Sequence, residues 1–181
     1  MAGLILILGG ARSGKSSYAE KLAAEMGRRV LYIATAEARD EEMAARIEIH
    51  RQTRPEHWRT LEASSDVGRA LLALDEHPQV LLLDCLTLLV SNILLAQEAE
   101  PEAVIEVTVH KEIEALIAAQ SDLDIPLIIV SNEVGLGLVP PYPLGRVYRD
   151  ILGRANQHLA AEASKVIFMV AGLPMTVKEE G

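Results

Sequence analysis

The chain is poor in the residues that mark several common functions. Its 181 residues include one cysteine, Cys85. That excludes an intrachain disulfide framework and a cysteine-only metal site, and it suits a reducing cytoplasm. Aromatic residues make up 3%, with Trp58 the single tryptophan, too few for base-stacking platforms. Positive charge is also scarce: 17 Lys and Arg stand against 26 Asp and Glu, a net charge of −9. Such a chain is poorly suited to non-specific nucleic-acid binding, although a local basic pocket can still hold a small phosphate ligand. A long apolar run is missing as well. Val80–Ala96 is the longest, and Asp84, Thr87, Ser91 and Asn92 interrupt it; it falls short of the roughly 20 apolar residues of a membrane span. A strand followed by a buried helix accounts for it better. Leu4–Leu8 has no basic flank and runs at once into Gly-Gly-Ala-Arg, so it is not a signal peptide. Half of the residues are hydrophobic, ample for one packed core, and the expectation is a single cytoplasmic domain over residues 1–181.

What is present is alternation. Leu4–Leu8, Val30–Ala34, Val80–Leu83, Leu127–Val130 and Val166–Val170 are short runs of Ile, Leu and Val. Runs that are apolar on both faces read as strands buried on both sides of a parallel sheet. Lys15–Met26, stopped by Gly27, reads as a helix, as do Glu102–Gln120 after Pro101 and Leu144–Ala163. Another helix opens where Asp40 can cap a first turn holding Glu41 and Glu42, and Pro55 limits it downstream. The pattern predicts an α/β fold, a mostly parallel sheet flanked by helices. The loop Gly135–Pro143, rich in glycine and proline, is the least regular segment, and there is no internal repeat.

Gly9-Gly-Ala-Arg-Ser-Gly14-Lys15-Ser16 fits G-x-x-x-x-G-K-[ST] in full, between a buried strand and a helix, the setting that gives the motif meaning. Glycines let successive amides turn toward phosphate oxygens, and the helix N-terminus adds its positive end. Lys15 is suited to the β- and γ-phosphates and the Ser16 hydroxyl to Mg²⁺. Asp84 ends an apolar strand, where ligands gather in open α/β sheets; it is either a second holder of Mg²⁺ or a helix cap. These features describe a P-loop NTPase without separating kinase from ATPase or transferase. No Asn-Lys-x-Asp guanine-specificity motif occurs, which disfavours a small GTPase.

Arg46–Glu62 holds four arginines and two histidines, in contrast to the acidic remainder. Arg46 and His50 share a helix face, as do Met43, Ile47 and His50. His50 is thus a half-buried imidazole. It is either a nucleophile toward phosphorus flanked by arginines or a structural histidine on an exposed basic face. Trp58 reads as a packing anchor. His57, His77, His110 and His158 show no metal-ligand spacing with one another or with Cys85. Asn132 and Glu133 follow the fourth apolar run, either meeting the γ-phosphate or a substrate, or forming a capped turn.

Several blocks together carry a family resemblance. They are the Gly9–Ser16 loop, Tyr32-Ile-Ala-Thr-Ala36, Asp40-Glu-Glu-Met-Ala-Ala-Arg-Ile, His50-Arg-x-x-Arg-Pro-x-x-Trp58-x-Thr-x-Glu62, Asp84-Cys-Leu-Thr, Ser131-Asn-Glu-Val-Gly-x-Gly-x-Val-Pro140 and the Arg149–Gln157 segment. In this order they resemble the bifunctional adenosylcobinamide kinase / adenosylcobinamide-phosphate guanylyltransferase family of cobalamin biosynthesis. The resemblance implies a RecA-like sheet and a trimer. It implies a kinase that phosphorylates adenosylcobinamide with a nucleoside triphosphate, ATP or GTP, in the presence of Mg²⁺. It also implies transfer of GMP from GTP through a guanylylated histidine, which by motif position is His50. Nucleotide contacts in the family correspond to Gly9, Gly10, Ala11, Arg12, Ser13, Gly14, Lys15 and Ser16, to Ala34, Thr35 and Ala36, to Arg51, Gln52, Thr53 and Arg54, and to Glu62 and Asp84. Lys15 joins His50 as a catalytic residue, and Ser16 and Asp84 hold the metal. A P-loop kinase of another small molecule, with a structural His50, is the alternative.

Overall fold

The computed structural model describes residues 3–38, 41–75 and 77–180. Asp40, the expected helix cap, lies outside them. Seven strands form one sheet: β1 (Leu4–Gly9), β2 (Val30–Ala34), β3 (Arg59–Glu62), β4 (Val80–Asp84), β5 (Leu127–Val130), β6 (Lys165–Val170) and β7 (Leu173–Glu179). Their spatial order is β3-β2-β4-β5-β1-β6-β7. All pair in parallel except β7, which runs antiparallel to β6. The helices are α1 (Lys15–Met26), α2 (Glu41–Thr53), α3 (Val67–Leu72), α4 (Leu86–Ala96), α5 (Glu102–Leu123) and α6 (Pro143–Glu162).

The strands are apolar throughout because both faces are covered. Along β4, Leu81 and Leu83 point into a core shared with Val67 of α3, Leu89 of α4, Ile113 of α5 and Ile151 of α6. Val80 and Leu82 point the other way, toward Ala19 and Ala23 of α1 and toward Trp58, which is buried there as a packing residue. Small alanines on α1 let that helix lie close to the sheet.

Three elements escaped the sequence reading: β3, α3 and β7. β3 is polar and mostly exposed, so it carries no apolar run to detect. α3 has only six residues, under two turns. β7 lies at the sheet edge with its apolar side chains in solvent, and no burial pattern marks it.

Candidate active site

The parallel sheet collects functional residues by register. Glu62 pairs with Ala34, Ala34 with Asp84, and Asp84 with Val130, a row at the carboxyl ends of β3, β2, β4 and β5. Val130 pairs in turn with Ile7 of β1, two residues before the glycine-rich loop begins. Ligands of open α/β sheets bind beside such a row.

The loop from Gly9 to Lys15 is held on both sides. The Glu133 amide donates to the Gly9 carbonyl at 3.1 Å, and the Gly172 amide to the Ser13 carbonyl at 3.0 Å. Gly9 adopts φ 154° and Gly14 φ 91°, backbone that favours glycine. A Cβ on Gly9 would sit 2.7 Å from the Met169 carbonyl oxygen, and one on Gly14 would sit 3.2 Å from Gly172 Cα. The side of Gly10 is open, with nothing within 4 Å of a Cβ placed there.

Lys15 is 8% exposed and donates from Nζ to the Gly10 carbonyl at 2.6 Å. Burial lowers its pKa, opposed by the nearby Cys85 and Asp84. Tyr32 donates its hydroxyl to Asp84 Oδ2 at 2.9 Å. The Arg54 guanidinium stacks 3.5 Å from the centre of the Tyr32 ring, a cation–π contact. Burial, then Asp84, raises the Tyr32 pKa, so the phenol stays a donor. Burial also pushes the Cys85 thiol up to about 11, again helped by Asp84.

These groups line a cavity of about 390 Å³. Of the sequence-predicted residues, Ala11, Arg12, Lys15, Ser16, Ala34, Ala36, Arg54 and Asp84 border it. Thr35 does not. Its side chain is fully buried, donating to the Cys85 carbonyl at 2.7 Å and accepting from the Cys85 amide at 3.0 Å. Arg51 and Gln52 are exposed on α2, with Gln52 donating to Glu48 at 2.8 Å. Glu62 is exposed at the end of β3. The side chains of Met43, Arg46, His50 and Thr53 lie outside the described residues, although α2 carries all four positions. Ile47 borders the cavity, and helical spacing puts position 50 on the face that Ile47 marks.

The cavity also takes in Tyr32 and Thr87, for which the sequence offered no role, and Asn132, offered as a γ-phosphate or substrate contact. Tyr32 hides within an apolar strand; its spacing of two from Ala34 was the one available signal. Asn132 is tied to α4: its amide donates to Thr87 Oγ1 at 2.9 Å. Glu133 accepts from the Gly135 amide at 2.6 Å, as a capped turn should, and borders a separate cavity of about 460 Å³ beside α6.

The residues suit a magnesium–triphosphate. Ser16 and Asp84 supply hard oxygen donors on one cavity wall, the ligand type Mg²⁺ takes. Ser13 Oγ and Arg54 Nε are buried without a hydrogen-bond partner, and buried donors of this kind call for a ligand acceptor.

Chain spacing gave no metal-ligand set among the histidines, yet the fold brings His110, Glu114 and His158 together, with donor atoms all within 4.8 Å. Two of them share a face of α5 and the third comes from α6, a meeting that linear spacing does not register.

A family model described as Cobinamide kinase / cobinamide phosphate guanyltransferase matches residues 5–177. The chain belongs to this family. It is 44% identical over 181 residues to the "Bifunctional adenosylcobalamin biosynthesis protein CobU" of Escherichia coli (strain K12), with 97% of this chain and 99% of that protein covered. It is 48% identical over 175 residues to the "Bifunctional adenosylcobalamin biosynthesis protein CobP" of Pseudomonas aeruginosa, with 97% of each covered. Its fold is similar to that of the RadB recombinase, at a TM-score of 0.51 and 14% identity over 92% of this chain and 73% of that one. That likeness establishes the RecA-like architecture of this cobinamide kinase family member. Among the described residues no helix is long and apolar enough to cross a membrane.

Proposed function

We propose that this chain carries out both reactions of its family on one nucleotide site. It phosphorylates the aminopropanol hydroxyl of adenosylcobinamide, then converts the product to adenosylcobinamide-GDP with GTP. The observation that carries this reading is the family match over residues 5–177, joined to a cavity in which Lys15, Ser16 and Asp84 stand together.

In the kinase step the substrate hydroxyl oxygen attacks the γ-phosphorus, the bond to the β-phosphate oxygen breaks, and a nucleoside diphosphate leaves. Loop amides hold the phosphates, and Lys15 releases the Gly10 carbonyl to reach the β- and γ-oxygens. Ser16 and Asp84 would hold Mg²⁺, which would supply positive charge against that developing on the phosphates. Tyr32 fixes the Asp84 carboxylate through its 2.9 Å hydrogen bond.

In the second reaction the neutral imidazole of His50 attacks the α-phosphorus of GTP and pyrophosphate departs, leaving a phosphorus–nitrogen bond. A phosphate oxygen of adenosylcobinamide phosphate then displaces His50. Arg54, with its Nε buried and unpartnered, is suited to the charge on the transferring phosphate. Arg51, Gln52, Thr53 and Glu62 complete the proposed nucleotide contacts, and Ala34 and Ala36 border the same cavity.

The proposed assembly is a homotrimer. The β7 edge supports a further contact between chains: Leu173, Met175 and Val177 are 71%, 53% and 63% exposed, an apolar edge that proteins seldom leave bare. The proposed compartment is the cytoplasm, in keeping with the lone thiol of Cys85.

The test is incubation with α-labelled GTP and Mg²⁺. A protein-bound label that is acid-labile and base-stable, absent from His50→Asn, is the expected outcome. A kinase of another small molecule forms no adduct, and its turnover ignores adenosylcobinamide.

A further inference from the structure

On the outer side of the helices, away from the nucleotide cavity, α5 and α6 bring three ligating side chains together. His110 and Glu114 are four residues apart on α5 and therefore share a face. His158 comes from α6. Its Nε2 lies 2.7 Å from Glu114 Oε1, and its ring centre lies 4.6 Å from that of His110, tilted by 49°. The three donor atoms all fall within 4.8 Å of one another. Two donors on one tetrahedral ion, each at about 2.0–2.1 Å, stand about 3.4 Å apart. Small side-chain rotations therefore close the set around a single ion.

Among the described residues, the contact that Glu114 makes on this face is with His158. The nearby cation, Arg154, is engaged elsewhere, with Glu102 at 3.1 Å and Glu106 at 2.7 Å. His110 and Glu114 are exposed and His158 is half-buried, so water can complete the coordination.

We propose that His110, Glu114 and His158 form a binding site for a borderline divalent transition-metal ion, of which zinc is the representative. Two imidazoles and one carboxylate select zinc, nickel or cobalt over magnesium and calcium, which prefer all-oxygen shells. The ion would cross-link α5 to α6 from outside the sheet. This site is independent of the nucleotide reaction.

The test is calorimetric titration of the chelator-stripped, nucleotide-free chain with zinc. Magnesium is kept saturating to occupy oxygen-only sites, and melting curves are recorded in parallel. The expected result is one tightly bound equivalent per chain and a raised melting temperature, since the ion binds the folded state alone. His110→Ala and His158→Gln should each weaken that binding at least about tenfold, the loss that even outer-shell changes cause at metal sites. Circular dichroism establishes that each variant is folded. His77→Ala, on a different surface, should bind as the parent does. The proposal is overturned if the parent takes up no zinc at millimolar concentration, or if folded His110→Ala and His158→Gln bind as tightly as the parent. In either case Glu114 and His158 form only a hydrogen-bonded pair.

Discussion

Lys15 is held at odds with its surroundings. Burial disfavours its charge, and the charge is there for a ligand rather than for the fold. Lys15→Met keeps most of the stem and removes the ammonium. The expected outcome is loss of kinase turnover together with a melting temperature of the nucleotide-free protein a few degrees higher. Near-normal turnover would sink the loop assignment. The pH sense agrees. A lysine with a folded pKa below its usual 10.5 binds its proton more weakly when folded, so its contribution to stability rises with pH between the two values. At Asp84 the expectation is the reverse. Asp84→Asn keeps shape and should fold, while turnover at limiting Mg²⁺ falls at least about tenfold, on the scale of changes around metal ligands; unchanged turnover would leave Asp84 with a structural role alone, as the acceptor of the Tyr32 hydroxyl, since the cap position of α4 belongs to Cys85. His50→Asn separates the chemistries: kinase turnover persists because phosphoryl transfer to a hydroxyl uses no protein nucleophile, and the labelled adduct disappears. If His50→Asn still accumulates label, His57 is the next histidine to replace. Much of this was legible because the glycine loop and Asp84 carry their meaning in local order. The commitment of Thr35 to Cys85 was not, since it joins residues 50 apart that meet only through β2–β4 pairing.

The same contrast governs the elements. β2, β5 and α1 match their expected bounds, because continuous apolar runs and the Gly27 stop are local signals. α3 is held from outside. Both oxygens of Glu112, on α5, accept from its first amides, Asp66 N at 3.1 Å and Val67 N at 2.7 Å. Gly68 presses so near α5 that a Cβ would lie 2.6 Å from the Ala115 carbonyl carbon. Asp66 stands at its N-cap but makes no side-chain cap hydrogen bond, so the capping comes from another helix and the local sequence does not show it. Glu112→Ala should therefore cost about 1–2 kcal/mol, the size of a lost cap, read as a lower denaturant midpoint with kinase chemistry intact. A midpoint unchanged from the parent would mean that water replaces the carboxylate.

At the scale of the whole molecule, an acidic chain of net charge −9 presents a bare apolar strand at one edge of its sheet. Val177→Lys places a charge on that edge, where natural sheets often carry lysine. The expected outcome is a shift of the solution mass from the proposed trimer to a single chain, measured by light scattering, with the monomer still folded. A variant that stays trimeric puts the contact elsewhere. Sequence could not announce this surface, because exposed Leu173, Met175 and Val177 read along the chain like any other apolar stretch.

The hairpin that carries that edge is also a buttress. Its turn reaches the phosphate loop through the Gly172 amide, 3.0 Å from the Ser13 carbonyl, and β6 beside it supplies the Met169 carbonyl that Gly9 leaves room for. The loop is thus keyed to the antiparallel β6–β7 hairpin at one edge of the open sheet. The β6–β7 turn must be made before the glycine loop is propped into shape, so during synthesis the nucleotide site matures only after residue 172 has emerged. Shortening the chain before Gly172 should leave a protein that still contains every residue of the glycine loop yet holds triphosphate poorly.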